Sequence, residues 1–212
     1  MPDIAIIDYS IGNIFSVFQA CKIAGMTPHL VNQADKLQNF DAVILPGVGS
    51  FPKGMENLKQ AGLDESVKEF ISSGKPFMGI CLGMQLLLNK SEEFGMSNGL
   101  GLIDGEVKHL RTSINDKNLP VPKITWGNVN PEKDWTETPL QNVRHGADFY
   151  FVHSYYCDVF EHSAVLGTSK YGDLSYASAI FKDNIFALQF HPEKSGTDGI
   201  RVYKDWNNLH FT

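Results

Sequence analysis

The sequence predicts an α/β fold: one domain over residues 1–212, built on an open, mixed, mostly parallel sheet flanked by helices, with additional antiparallel strands in the C-terminal half. Three observations predict it. Short apolar runs of strand length alternate with helical stretches through residue 90, the pattern of βαβ units. After Gly105 the texture changes to shorter apolar segments separated by Gly, Asp, Asn and Pro. With 212 residues, 42% of them apolar, the chain can bury one large core.

Ile4-Ala5-Ile6-Ile7 is nearly continuous in apolar residues, as a strand covered on both faces requires. Residues 13–25 repeat apolar positions at helical spacing, with Asn13 placed to cap and Gly25 to terminate. His29-Leu30-Val31 and residues 41–45 read as further strands, the second ending at a Pro-Gly turn. A helical stretch is expected over about 53–73, a strand at 76–80 and a helix at 82–89. Beyond Gly105, strands are expected at 106–110, 148–152, 164–168, 176–181 and 185–189, with a last helix near 197–209. Residues 111–146 carry the weakest pattern.

Composition narrows the partners. The net charge of −6 comes without a lysine or arginine run or any interleaving of basic and aromatic residues, which argues against nucleic acid. No apolar run approaches the ~20 residues that span a bilayer, and the N-terminus lacks the pattern of a secretory signal. The expected compartment is the cytoplasm. Cys21, Cys81 and Cys157 lack CxxC spacing and read as free thiols, so no metal or other cofactor is expected.

Cys81 stands out. Gly79-Ile80-Cys81-Leu82-Gly83 places it between glycines at a strand-to-helix junction, the G-x-nucleophile-x-G arrangement. The sharp turn strains the nucleophile's backbone, and the flanking positions must lack side chains for neighbouring backbone to approach. A helix N-terminus there favours thiolate, and the first helical N–H groups, notably that of Leu82, are expected to be unpaired and able to donate to an oxyanion. The pentapeptide alone suits either a nucleophile or a buried cysteine in a tight turn. Cys21, inside an amphipathic helix, and Cys157, after an aromatic strand end, read as core or inert surface.

A cysteine nucleophile needs a base, and the base an orienting group. Phe190-His191-Pro192-Glu193 follows a strand and offers both, with proline restricting the loop. The chain's six other histidines lack this combination of a strand end and a carboxylate two positions on.

Taken together and in order, Leu45-Pro46-Gly47-Val48-Gly49, Gly79-Ile80-Cys81-Leu82-Gly83 and Phe190-His191-Pro192-Glu193-Lys194 resemble the class I, or triad, glutamine amidotransferases, whose sheet is flavodoxin-like. Asp8-Tyr9 and residues 151–156 narrow the resemblance to the glutaminase subunits of imidazole glycerol phosphate synthase, over residues 4 to about 195. The resemblance implies that Cys81 attacks the side-chain amide of L-glutamine, that His191 moves the proton and that Glu193 orients His191. It implies an oxyanion hole at Val48, Gly49 and Leu82, and glutamine contacts at Gln85, His153, Ser154 and Tyr155. Trp126, Tyr150 and Lys194 match positions facing a (β/α)₈ cyclase subunit that receives the ammonia in a heterodimer. The free subunit is expected to be nearly idle until the partner's ligand binds.

Departures from the family pattern bear on the partner. Pro122-Lys123-Ile124-Thr125-Trp126-Gly127 stands where the family reads Pro-His-(Met or Ile)-Gly-Trp-Asn, Ser10 replaces a usual glycine, and Gly196-Thr197 follow Phe190-His191-Pro192-Glu193-Lys194-Ser195 where a serine is more usual. Changes at the presumed interface open an alternative, a paralogous glutaminase supplying ammonia to a sugar-modifying enzyme of surface-polysaccharide synthesis.

Overall fold

The computed structural model describes residues 1–211. Its chain opens with β1 (Asp3–Ile7), whose residues divide by period two: Ile4 and Ile6 face one core cluster, Ala5 and Ile7 the other. Helix α1 (Ile14–Ile23) follows and ends where Gly25 takes φ +84°, a conformation without steric cost only for glycine. Next come β2 (Thr27–Val31), a 3₁₀ turn (Ala34–Asn39) and β3 (Ala42–Leu45).

The single helix expected over 53–73 is two, α2 (Phe51–Gln60) and α3 (Leu63–Ser72). Gly62 divides them at φ +66°, and Asp64 and Glu65 open the second helix, where negative charge suits the dipole. β4 (Phe77–Ile80) leads directly into α4 (Leu82–Leu86), which stops short of the expected 89. Leu88 instead starts β5 (Leu88–Ser91), which lies parallel to β7 (Ile103–His109) after the short β6 (Ser97–Asn98). The leucines at 86–88 are all buried, so their apolarity suits helix or strand equally and the neighbouring β7 decides.

A one-turn helix α5 (Leu110–Ser113) precedes β8 (Lys123–Asn128) and β9 (Asn130–Pro131), which lie in the weakly patterned stretch. Then follow β10 (Asp148–His153), β11 (Tyr155–Val159), β12 (Val165–Tyr171), β13 (Leu174–Lys182), β14 (Ile185–Leu188) and α6 (Gly196–Phe211). Cys157 lies within β11 rather than after a strand; it and Cys21 are buried.

The main sheet runs β2-β1-β3-β4-β14-β13-β11-β7-β5-β6. The first five strands are parallel neighbours, and antiparallel pairing begins between β14 and β13. One apolar cluster packs α2 to α4 on one face; the other packs α1 and α6, with Val202, Tyr203 and Trp206, on the opposite face. β8 and β10 form a separate antiparallel ribbon that crosses the carboxyl ends of the central strands. Among the described residues no helix is long and apolar enough to cross a membrane.

Candidate active site

Cys81 occupies the junction of β4 and α4 with φ +53° and ψ −107°, a region costly for a residue with a side chain. Its N–H donates to the Leu188 carbonyl at 2.7 Å, and its carbonyl accepts from the Met84 and Gln85 N–H groups. Both flanking glycines are required by close approach. A Cβ on Gly83 would lie 1.9 Å from the Leu45 carbonyl oxygen, and one on Gly79 3.0 Å from that of Gly83. Cys81 is 6% exposed, and its sulfur lies 3.6 Å from the Gln189 Nε2 donor and 3.9 Å from the Val152 carbonyl oxygen.

His191 and Glu193 flank Pro192 at the end of β14. The His191 N–H donates to the Tyr150 carbonyl at 2.9 Å, and Ser195 Oγ donates to the His191 carbonyl at 2.6 Å, so the backbone is held from both sides. His191 Nδ1 donates to Glu193 Oε1 at 2.8 Å, with both side chains only 2% exposed. That bond leaves Nε2 as the nitrogen free to exchange a proton with the Cys81 sulfur. Nε2 is buried with no partner at full hydrogen-bonding geometry, and the Cys81 sulfur is the neighbour that acts on it, by charge and as a hydrogen-bond partner. Burial disfavours the charged imidazole, but the negative sulfur of Cys81 and then the Glu193 carboxylate outweigh it and push the His191 pKa up to about 10.

The loop after β3 meets this junction. A Cβ on Gly47 would fall 2.3 Å from the Tyr9 hydroxyl, which donates to the Pro46 carbonyl at 2.8 Å, and Gly49 has φ +121°. The expectation of an unpaired Leu82 N–H is corrected here: it donates to the Gly47 carbonyl at 3.3 Å. The physical reason is the tight glycine loop, which brings a carbonyl over the start of α4 and occupies the donor with a long bond.

A cavity of about 410 Å³ opens over the sulfur, lined by Val48, Gly49, Leu82, Gln85, Tyr150, His153, Ser154, Tyr155 and Lys194 among others. The structure thus brings together nearly every residue singled out by motif. Gln85 is buried, its amide donating to the Tyr155 carbonyl at 2.9 Å and to Gln189 Oε1 at 3.1 Å. His153 Nδ1 is 2.9 Å from the same carbonyl, and burial is the main cause of a pKa lowered to about 3, so the ring is neutral. Trp126, 53% exposed, sits edge-on to Tyr150 at 5.9 Å between ring centroids, and Lys194 Nζ lies 5.8 Å from the centre of the Tyr150 ring. Trp126 therefore borders the mouth through Tyr150, while His191 and Glu193 lie behind it.

Two lining or supporting residues escape sequence reasoning. Glu93, the one acidic residue lining the cavity among those described, accepts the Phe51 N–H at 2.7 Å, and burial raises its pKa. Its segment, Ser91-Glu92-Glu93-Phe94-Gly95, has the look of an exposed turn, and only the 42-residue return to α2 buries it. Gln189 directs its amide at the sulfur from the residue after β14. Lys123 is the other surprise: it is 2% exposed and not on the presumed interface, unlike Thr125 two residues on. A larger cavity of about 550 Å³ lies between β11 and β13, away from this site.

This combination of sheet and elbow defines a class I glutamine amidotransferase. The family described as "Glutamine amidotransferase class-I" matches residues 5–206, and the chain belongs to it. Within that family it is 41% identical over 207 residues to the imidazole glycerol phosphate synthase subunit HisH of Caldanaerobacter subterraneus, covering 97% of this chain and 98% of that one. The HisH subunit of Chlorobaculum tepidum is 42% identical over 201 residues, 95% of this chain and 97% of the relative. Among solved structures, PurLQS of Thermotoga maritima superposes with a TM-score of 0.75 at 21% identity, over 98% of each chain. A structure described as a glutamine amidotransferase gives 0.73 at 17% identity, over 98% of this chain and 99% of that one. At these identities the two structures speak for the fold.

Proposed function

We propose that the chain is the glutaminase subunit of an imidazole glycerol phosphate synthase, hydrolysing L-glutamine to glutamate and ammonia for histidine biosynthesis. Similarity of about 40% to HisH subunits over nearly the full length carries the reading. Cys81 at the floor of the cavity, with the His191–Glu193 pair buried behind it and coupled to its sulfur, supports the chemistry.

In this reading the Cys81 sulfur attacks the side-chain carboxamide carbon of glutamine. The tetrahedral oxyanion takes N–H donors from Val48, Gly49 and Leu82, the last released from its long bond to Gly47. His191 Nε2 carries the thiol proton to the departing nitrogen, so ammonia leaves and a γ-glutamyl thioester remains. Water, deprotonated by the same nitrogen, then adds to the thioester; glutamate departs and the proton returns to sulfur. Glu193 holds the imidazole in the tautomer that keeps Nε2 available. Glu93 faces the α-ammonium of glutamine as the cavity's carboxylate, and Gln85, His153, Ser154 and Tyr155 line the same cavity.

Ammonia passes to a (β/α)₈ cyclase subunit docked over Trp126, Tyr150 and Lys194. The test is Cys81→Ala in the reconstituted complex. Glutamine-dependent synthesis should vanish while ammonia-dependent synthesis persists, and retained glutaminase turnover would overturn the nucleophile assignment. Affinity capture from the source cell tests the partner: a histidine-pathway cyclase is expected, and a sugar-modifying enzyme in its place would redirect the ammonia.

A further inference from the structure

Besides His191, two polar groups of opposite demand meet the Cys81 sulfur. The Val152 carbonyl oxygen, 3.9 Å away, can only accept, so it suits a thiol proton and repels a thiolate. The Gln189 Nε2 amide, 3.6 Å away, can only donate, so it suits a thiolate. Gln189 lies directly after β14, with its side chain fully buried. A buried amide of this kind needs partners at both ends, and the sulfur is the partner of one.

Which end of that amide faces the sulfur follows from fixed backbone. The Tyr155 carbonyl can only accept, so Gln85 turns its Nε2 there, at 2.9 Å. The second proton of the same nitrogen goes to Gln189 Oε1 at 3.1 Å, which places the Gln189 oxygen on the Gln85 side and Nε2 on the sulfur side. Both residues hang from held backbone: the Gln189 N–H donates to the Ser178 carbonyl at 3.0 Å, and the Gln85 N–H to the Cys81 carbonyl at 3.2 Å. Turning the Gln189 amide over would set its oxygen against the sulfur and its NH₂ against that of Gln85, two repulsions in one buried site.

We propose that Gln189 is a further catalytic residue: its side-chain amide, oriented by Gln85, donates to the Cys81 sulfur whenever that sulfur carries negative charge. The charge appears twice in the reaction, before the sulfur attacks the carboxamide and again as the thioester's C–S bond breaks and glutamate forms. A thioester sulfur is a poor acceptor, so the bond is strongest where charge develops, which is the condition for acceleration. The same donor offsets the Val152 carbonyl, which favours the unreactive thiol. The catalytic role rests on Cys81 being the glutaminase nucleophile; the bond from amide to sulfur does not.

The experiment compares the full chain as wild type, Gln189→Met, Gln85→Met and the double variant. Iodoacetamide alkylation of Cys81 is followed across pH by peptide mass spectrometry, without glutamine, so that contacts of Gln85 with substrate do not enter. Cys21 and Cys157 are buried, with thiol pKa values pushed up, and Cys81→Ala supplies the background. In Gln189→Met alkylation at neutral pH should slow about tenfold and its pH profile move up by about one unit, as loss of a hydrogen bond to a charged group entails. Gln85→Met leaves the donor in place but free to turn, so it should move the profile the same way by less, and the double variant should be no slower than Gln189→Met. In the reconstituted complex Gln189→Met should lower kcat for glutamine at an unchanged KM, because the amide meets the sulfur and not the bound substrate. A residue that only packs would lower the melting temperature and leave the alkylation profile where it was. Wild-type profiles in the folded variants, or losses that add in the double variant, would overturn the proposal; should Gln189→Met fail to fold, the profile of Gln85→Met decides. Turnover by Cys81→Ala would instead refute the nucleophile reading and leave the alkylation result standing.

Discussion

Replacing Gly83 with alanine tests whether the elbow's geometry makes the site. The added Cβ would sit 1.9 Å from the Leu45 carbonyl oxygen and 2.9 Å from its carbon, against the 3.0 Å below which real Cβ contacts essentially never fall. The start of α4 must therefore retreat from β3 by ~1 Å, and Cys81, two residues earlier, moves with it. Overpacking of this kind costs roughly 1–3 kcal/mol out of a typical total of about 5–15. A displacement of ~1 Å at a reacting group costs on the order of 10²-fold in rate. Gly74→Ala is the control, since no atom lies within 4 Å of its Cβ; its φ of +80° makes it cost ~1 kcal/mol in strain alone. Urea unfolding of each chain and glutaminase turnover of each reconstituted complex give the comparison. Gly83→Ala should lose stability and, beyond that, turnover; Gly74→Ala should lose stability only. A Gly83→Ala protein within ~0.5 kcal/mol of wild type and fully active would refute the claim that close backbone approach dictates this turn.

Burial lowers the His153 pKa to about 3 from 6.5, so its contribution to stability is present above pH 6.5 and is lost as pH falls toward 3. Between pH 7 and pH 5 wild type should lose ~2 kcal/mol more than His153→Gln in urea titrations, and parallel pH curves would contradict this. Trp126→Ala should weaken cyclase binding by about 2 kcal/mol, ~30-fold in Kd by calorimetry. The isolated chain should unfold within ~1 kcal/mol of wild type, because the indole is 53% exposed. Glu93→Gln can still accept the Phe51 N–H, yet it removes the cavity's carboxylate. Its KM for glutamine should rise roughly tenfold, and an unchanged KM would remove Glu93 from substrate binding.

Much of this architecture was legible in the sequence where local and global preferences agree. Ile4–Ile7 is apolar at every position because both faces of β1 are covered, and Gly79-Ile80-Cys81-Leu82-Gly83 carries its turn in its own glycines. The errors fall where a distant neighbour decides. Residues 86–88 are three leucines that suit helix or strand, and β7 draws Leu88 into the sheet. The ribbon strand β8 alternates one buried lysine with exposed Ile124, Thr125 and Trp126, the reverse of the usual apolar-inside pattern. Glu93 and Gln189 gain their places from contacts 42 and 108 residues away, and neither has a local signature. Leu82 is the instructive case within the motif: the helix start was legible, but the Gly47 carbonyl that occupies its donor comes from another strand's loop.

The most direct measurement for the central claim is covalent labelling by the glutamine analogue diazo-oxo-norleucine. Intact-mass analysis of the complex should show one adduct per chain, peptide mapping should place it on Cys81, and glutamine-dependent turnover should fall in step with labelling while ammonia-dependent synthesis continues. An adduct elsewhere, or turnover that survives complete labelling of Cys81, would contradict the account.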